Sequence, residues 1–111
     1  MKLKSAVSVS SETFRSNEAA NRALLETVQE AASAAAAGGG EKARDRHLSR
    51  GKMLPRDRVA AVLDPGAPFL EVGATAAHGM YDRAAPAAGV IAGVGRIHGQ
   101  DVMVVANDAT V

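Results

Sequence analysis

The sequence predicts a mixed chain, α/β in class and α+β in layout, with helices first and a β-hairpin last. Three observations carry this. Residues Glu12–Ala37 favour helix and are closed by Gly38-Gly39-Gly40. A short second helical run opens on Pro55 and stops at Asp64-Pro65-Gly66. From Val90 the period changes: Val90–Ile97 and Val102–Ala106 are apolar on both faces and flank His98-Gly99-Gln100.

Taken in order, Met1–Ser11 mixes small polar residues and valines without a clear period and reads as a loose arm. Along Glu12–Ala37 a narrow apolar stripe of Phe14, Leu24, Leu25, Val28 and Ala31/Ala32 runs between charged residues, so the helix is expected to lie on another surface. The alanines at 34–37 keep the propensity but give almost no anchoring bulk, and the glycine triplet stops the helix as terminator and hinge. Glu41–Arg50 can form a further helix that ends at Gly51. In the next, Pro55 suits the first helical position and Asp57 the positive end of the helix dipole, while Val59, Val62 and Leu63 make an i, i+3, i+4 contact face. Pro65-Gly66 suits a type II turn. Phe69–Val72 follows as a brief strand, and Gly73–Gly89 reads as a surface loop or weak element.

The two final apolar runs are expected to be buried antiparallel strands. Gly93 and Gly95 share a face, and glycine in a strand costs about 0.5–1 kcal/mol, so that face should meet a backbone or bulky neighbour closely. On the sequence alone, nothing in the chain supplies that neighbour, and the sheet reads as cut short after its second strand.

Composition sets the scale. The chain has 111 residues, and its 47 % apolar content overstates its core-forming capacity because only 3 % is aromatic and 24 residues are alanine. Each ordered residue costs about 1–2 kcal/mol of backbone entropy, so an isolated chain of this make-up is expected to be marginal. A net charge of +1 argues against whole-chain binding to nucleic acid or membrane. There is no cysteine, which removes disulfides, thiolate nucleophiles and cysteine-held metals and fits a reducing compartment. With no apolar run long enough to span a bilayer, the expectation is a soluble, cytoplasmic chain.

The charge signal is local. Glu41–Arg58 holds seven of the thirteen basic residues, Lys42, Arg44, Arg46, Arg50, Lys52, Arg56 and Arg58, against three acidic ones. On a helix Lys42, Arg46 and Arg50 line one face, where like charges repel by about 0.2–0.5 kcal/mol per pair, so an anionic neighbour is expected. An acidic surface or simple hydration would satisfy it. So would a ligand phosphate, for which the arginine fork is well shaped.

Other chemistry is excluded by spacing. The glycine triplet is not followed by the G-K-[ST] of a phosphate loop, and Gly93-Val94-Gly95-Arg96-Ile97-His98 fails the last position of G-x-G-x-x-G. His47, His78 and His98 stand far apart with no H-E-x-x-H, so no metal site is assigned. Ser49 lies two residues from His47, a spacing that points them apart on a helix. No catalytic constellation is visible.

Two stretches carry a family likeness. Arg50-Gly51-Lys52-Met53-Leu54-Pro55-Arg56-Asp57-Arg58-Val59 is followed by Val62-Leu63-Asp64-Pro65-Gly66 and Pro68-Phe69-Leu70-Glu71. Later come Gly79-Met80-Tyr81-Asp82, Gly93-Val94-Gly95-Arg96 and Val105-Ala106-Asn107-Asp108-Ala109-Thr110-Val111. Together they closely resemble the N-terminal part of the carboxyltransferase (beta) subunit of biotin-dependent acyl-CoA carboxylases, and look more like the methylcrotonyl-CoA branch, which serves leucine degradation, than the propionyl-CoA branch.

The resemblance implies a crotonase-like fold of which this chain holds the N-terminal helices and first hairpin. The implied division is an arm and helix at 1–37, a glycine hinge with a basic helix-turn-helix segment at 38–66, and the start of the carboxyltransferase domain at 67–111. The implied reaction moves a carboxyl group from biotin, carried by an alpha subunit, to an acyl-CoA, within a homo-oligomer of beta subunits. The catalytic loops of the family match no position here, so no catalytic residue is assigned and the chain alone is expected to be inactive. Arg50, Lys52, Arg56 and Arg58 become candidates for coenzyme A phosphate contacts, against structural salt bridges. Two other readings stay open: a small basic module for nucleic acid or an acidic partner, weakened by the interleaved Asp45 and Asp57 and the lack of aromatics there, and a truncated relative that only associates with full-length subunits.

Overall fold

The computed structural model describes residues 2–111. Its elements run α1 (Glu12–Ala36), α2 (Glu41–Ser49), α3 (Pro55–Val62), β1 (Leu70–Val72), two single 3-10 turns (Tyr81–Arg83 and Pro86–Gly89), β2 (Val90–Ile97) and β3 (Gln100–Asn107). They divide into two compact units, one reaching to Glu30 and the other spanning Ala31–Val111.

In the first unit, Ser11 caps α1: its Oγ accepts the Phe14 N–H at 3.1 Å, satisfying one of the donors that a helix start leaves free. Arg22 bonds Glu18 one turn back, an exposed pair that contributes a few tenths of a kcal/mol, on the order of 0.3. The expected apolar stripe is present but bare, with Leu24, Leu25 and Val28 at 64 %, 54 % and 58 % exposure.

In the second unit, α1 tightens at its end through Ala37 N–H and Gly38 N–H bonds to the carbonyls of Ala34 and Ala35. Gly38 then takes the left-handed conformation (φ 63°) that ends the helix. Gly39 does something composition did not reveal. A Cβ there would run into the carbonyl of Thr110, so the triplet lies directly on the turn that follows β3, and Gly39 N–H donates to Thr110 Oγ1 at 3.0 Å. That turn is closed by Asp108, whose Oδ1 accepts from Thr110 N–H and Thr110 Oγ1.

The sheet has three antiparallel strands in the order β1-β2-β3. Leu70, Glu71 and Val72 pair with Val94, Gly93 and Ala92, which in turn pair with Met103, Val104 and Val105. The expectation of a cut two-stranded sheet is therefore corrected: the short Phe69–Val72 segment folds back as the missing edge. It also supplies the neighbour that the glycines required. A Cβ on Gly93 would sit 2.5 Å from both the Leu70 carbonyl oxygen and Phe69 Cζ, and one on Gly95 would collide with Leu63.

One face of this sheet carries Ile91, Gly93 and Gly95, all buried, and packs against α3 and Phe69. The other face is open, with Leu70, Val72, Met103 and Val105 each more than half exposed, so β3 is not the two-sided buried strand its composition suggests. The contact face of α3 also differs from expectation. Pro55 and Val59 are buried and Leu63 half-buried, an i, i+4, i+8 line, whereas Val62 is exposed. The residues before β2 form the expected loop. Its second turn places Ala87 and Ala88 at φ 50° and 52°, and buried Ala87 joins Val59 and Ile91 in a small core.

Candidate functional site

The basic segment forms the corner between α2 and α3. Gly40 (φ 82°) opens α2, Arg50 closes it, and Gly51 (φ 70°) turns the chain into a three-residue connection. His47 braces that connection, its Nε2 lying 3.0 Å from the Met53 carbonyl oxygen. Pro55 then starts α3 without needing its missing N–H.

The four candidate residues do not share one environment. Arg50, Lys52 and Arg58 are exposed, and among the described residues none forms an ion pair. Arg56 is different. Its Nη1 and Nη2 each donate to Glu71 of β1 at 2.8 Å, a two-pronged ion pair whose side chains are 30 % and 20 % exposed. The Arg56 donors hold the Glu71 carboxyl below its usual range, and the Glu71 carboxylate raises the guanidinium in return. Arg56 Nε is buried with no hydrogen-bond partner. Arg58, two residues on, lies about 200° round the helix from Arg56 and lines a groove with Val62, Val105 and Asn107 instead.

Lys42 and Arg46 are exposed on α2 and also lack ion-pair partners among the described residues, so the anionic neighbour expected for the Lys42, Arg46, Arg50 line is not supplied by them. Arg44 is half-buried and, with Gly38, Arg56, Asp57, Asp108 and Thr110, lines a cleft of about 150 Å³. The cleft holds both signs of charge. No cluster of metal-ligating side chains occurs among the described residues.

A second carboxylate fixes the hairpin. Asp64, just past α3, accepts the His98 N–H at 2.7 Å through Oδ1 and the Gly99 N–H at 2.8 Å through Oδ2, and its own N–H donates to the Arg96 carbonyl. The Gly99 N–H is the main reason the Asp64 carboxyl sits below its usual range, helped by the His98 N–H. Neither Glu71 nor Asp64 was singled out from sequence as a partner. For Glu71 a signal existed: it alternates with Leu70 and Val72 and faces the buried side opposite Gly93, where a charge needs a counter-charge.

Residues 46–111 match the family model of the carboxyl transferase domain. The chain belongs to the carboxyl transferase domain family. This carboxyltransferase segment is 54 % identical over 91 residues, 82 % of its length, to the biotin-dependent 3-methylcrotonyl-coenzyme A carboxylase beta1 subunit of Mycobacterium tuberculosis. It is 45 % identical over 101 residues, 91 % of its length, to the mitochondrial methylcrotonoyl-CoA carboxylase beta chain of Arabidopsis thaliana. Among solved structures it superposes on transcarboxylase 12S, a hexamer solved with hydrolysed methylmalonyl-coenzyme A bound, with a TM-score of 0.69 and 38 % identity over 78 % of the chain. The carboxyltransferase segment spans 17 % of the length of each of those two relatives and 18 % of the solved chain. The helices and three-stranded sheet are thus a part of the crotonase-like carboxyltransferase fold. No described helix is long and apolar enough to cross a membrane.

Proposed function

We propose that this chain acts as part of a carboxyltransferase subunit that moves a carboxyl group from biotin, carried by a partner subunit, to an acyl-CoA resembling 3-methylcrotonyl-CoA. The observation that supports this most is the 54 % identity to the 3-methylcrotonyl-coenzyme A carboxylase subunit over 82 % of the chain. Carboxybiotin supplies the carboxyl group, and no residue of this chain is assigned to it or to the bond-making step. A homo-oligomer of such subunits and a cytoplasmic setting belong to the same proposal.

Within it, the α2–α3 corner grips the phosphates of coenzyme A. Three cations, Arg50, Lys52 and Arg58, are exposed and unpaired among the described residues, which leaves their donors free for a polyanion. Arg56 has a dual part in this reading. Both of its terminal nitrogens are bonded to Glu71, so it anchors the corner to the sheet and reaches a phosphate only by sharing its donors.

A grip far from the reacting carbon contributes binding that is equal in ground and transition states. In a complete subunit carrying this segment, assembled with its biotin-bearing partner, Arg50→Ala is expected to raise KM for 3-methylcrotonyl-CoA by about tenfold while kcat changes little. A fall in kcat with KM unchanged would refute the grip. Unchanged kinetics with a lost oligomer would assign Arg50 to assembly.

A further inference from the structure

We propose that His47 is a positioning residue for the coenzyme A phosphate grip: its imidazole pins the connection between α2 and α3 so that Arg50 and Lys52 are presented together. The inference rests on the grip proposed above and goes beyond it, adding a residue that holds the cations without touching the ligand.

The hydrogen bonds of the corner single out His47. Two carbonyls near the end of α2 close the helix, that of His47 accepting the Arg50 N–H at 3.3 Å and that of Leu48 the Gly51 N–H at 2.9 Å. Gly51 (φ 70°) then turns the chain away, and the next backbone bond begins at Leu54, whose carbonyl accepts the Arg58 N–H of α3. In between, Lys52 and Met53 make no backbone–backbone bond among the described residues. One side chain crosses this gap: His47 Nε2 lies 3.0 Å from the Met53 carbonyl oxygen. A carbonyl only accepts, so Nε2 carries the hydrogen and donates. His47 therefore holds the chain twice, by its own carbonyl to Arg50 and by its ring to Met53.

The ring bond closes the stretch 47–53, with Arg50 and Lys52 inside it and Arg58 outside. Both of its ends lie in that stretch, so the brace is local. Without it Gly51 is a pivot, because glycine takes either sign of φ readily. Two like charges one residue apart repel, and a free pivot lets them separate. Pinned cations lose less conformational freedom when they meet neighbouring phosphates. The half-buried ring leaves the phosphates to Arg50 and Lys52, since its donor is committed to a backbone carbonyl.

Steady-state kinetics of a complete subunit carrying this segment, assembled with its biotin-bearing partner, test this with two substrates: 3-methylcrotonyl-CoA, and 3-methylcrotonyl-pantetheine, the same thioester without any phosphate. His47→Leu removes the donor. It should raise KM for the CoA ester about threefold to fivefold with kcat unchanged, and leave kcat/KM for the pantetheine ester as it was. A glutamine amide nitrogen stands as many bonds from Cβ as histidine Nε2, and an asparagine amide nitrogen stands one bond nearer, so His47→Gln should restore the parent KM and His47→Asn should not. With Arg50→Ala and Lys52→Ala combined, His47→Leu should add nothing, whereas with Arg58→Ala its full factor should persist. An equal loss of kcat/KM with both esters would make His47 a support of the fold alone and overturn the proposal, as would equal KM values for His47→Gln and His47→Asn. A parental KM in His47→Leu, beside an Arg50→Ala that raises it, would overturn the positioning role and leave the grip standing. Neutral Arg50→Ala and Lys52→Ala would remove the grip and this role with it.

Discussion

Replacing Gly93 with alanine tests the central packing claim, that β1 and Phe69 of this same chain close over β2. The position is free of left-handed strain, so the effect is steric alone. The new methyl would lie 2.5 Å from the Leu70 carbonyl oxygen and 2.5 Å from Phe69 Cζ, far inside van der Waals contact. Phe69 can rotate away; the backbone of Leu70 cannot move without loosening its pairing with Val94 and, one residue on, the pairing of Glu71 with position 93 itself. Overpacking of this kind costs about 1–3 kcal/mol. The gain from stiffening the unfolded chain, about 0.5–1 kcal/mol, offsets part of it. The net loss is about 1–2 kcal/mol, or a Tm lowered by roughly 5–10 °C for a chain of this size. Thermal unfolding by circular dichroism at one fixed protein concentration reads this directly. A midpoint equal to or above that of the parent would refute the packing of β1 on β2.

The remaining expectations follow from the polar ties. Glu71→Gln should lower the urea midpoint, because it leaves the half-buried Arg56 guanidinium without its carboxylate, a loss of about 1–3 kcal/mol that denaturation measures. The Glu71 carboxyl has a folded pKa below its unfolded value, so its contribution is complete above the unfolded value of about 4.3 and disappears as pH falls through the folded one; a urea midpoint flat from pH 6 down to pH 3 would contradict this. Asp64→Ala frees the His98 and Gly99 amides, and hydrogen exchange there should accelerate while that of Ile91 is little changed. Gly39→Ala drives a methyl into the Thr110 carbonyl, so the Gly39 amide should lose its protection and the 108–111 turn should shift its chemical shifts.

The helices and the hairpin were legible because each has a local cause. The glycine triplet, Pro55, Asp64-Pro65-Gly66 and His98-Gly99 all act within a few residues of themselves, and the observed boundaries fall within one residue of the expected ones for α1 and α2. The Ala67 N–H bond to the Asp64 carbonyl, with Gly66 at φ 74°, is the turn that Pro65-Gly66 predicts. What could not be read was pairing between distant segments. Gly93 and Gly95 announced a close neighbour, but nothing local distinguishes Phe69 and Leu63 from any other apolar residue as that neighbour. The basic segment shows the same division. Its charge was plain, whereas the commitment of Arg56 to Glu71 depends on a fold-back fifteen residues later that brings β1 beside α3. Apolarity on both sides of β3 signalled two contact surfaces, and the chain fills only the one facing α3.

The distribution of ties explains how so thin a core can hold the cationic corner in place. Among the described residues the buried apolar side chains are few, Pro55, Val59, Ala87 and Ile91, too little apolar area to fix helix against sheet by burial alone. Polar bonds do the rest, and they fall at three places along the α2–α3 corner: Gly39 N–H to Thr110 before α2, Arg56 to Glu71 in the first turn of α3, and Asp64 to the hairpin turn just after α3. Each joins the corner to a different part of the sheet region, namely the turn after β3, the edge strand β1 and the β2–β3 turn. Such an arrangement fixes the orientation of α3 as well as its distance, since one bond allows pivoting and three non-collinear ones do not. Arg50, Lys52 and Arg58 project from a frame held this way, and cations on a fixed frame lose less conformational freedom when they meet a polyanion. Under the proposed coenzyme A grip, the ties should therefore matter to its affinity even where their own side chains never touch it.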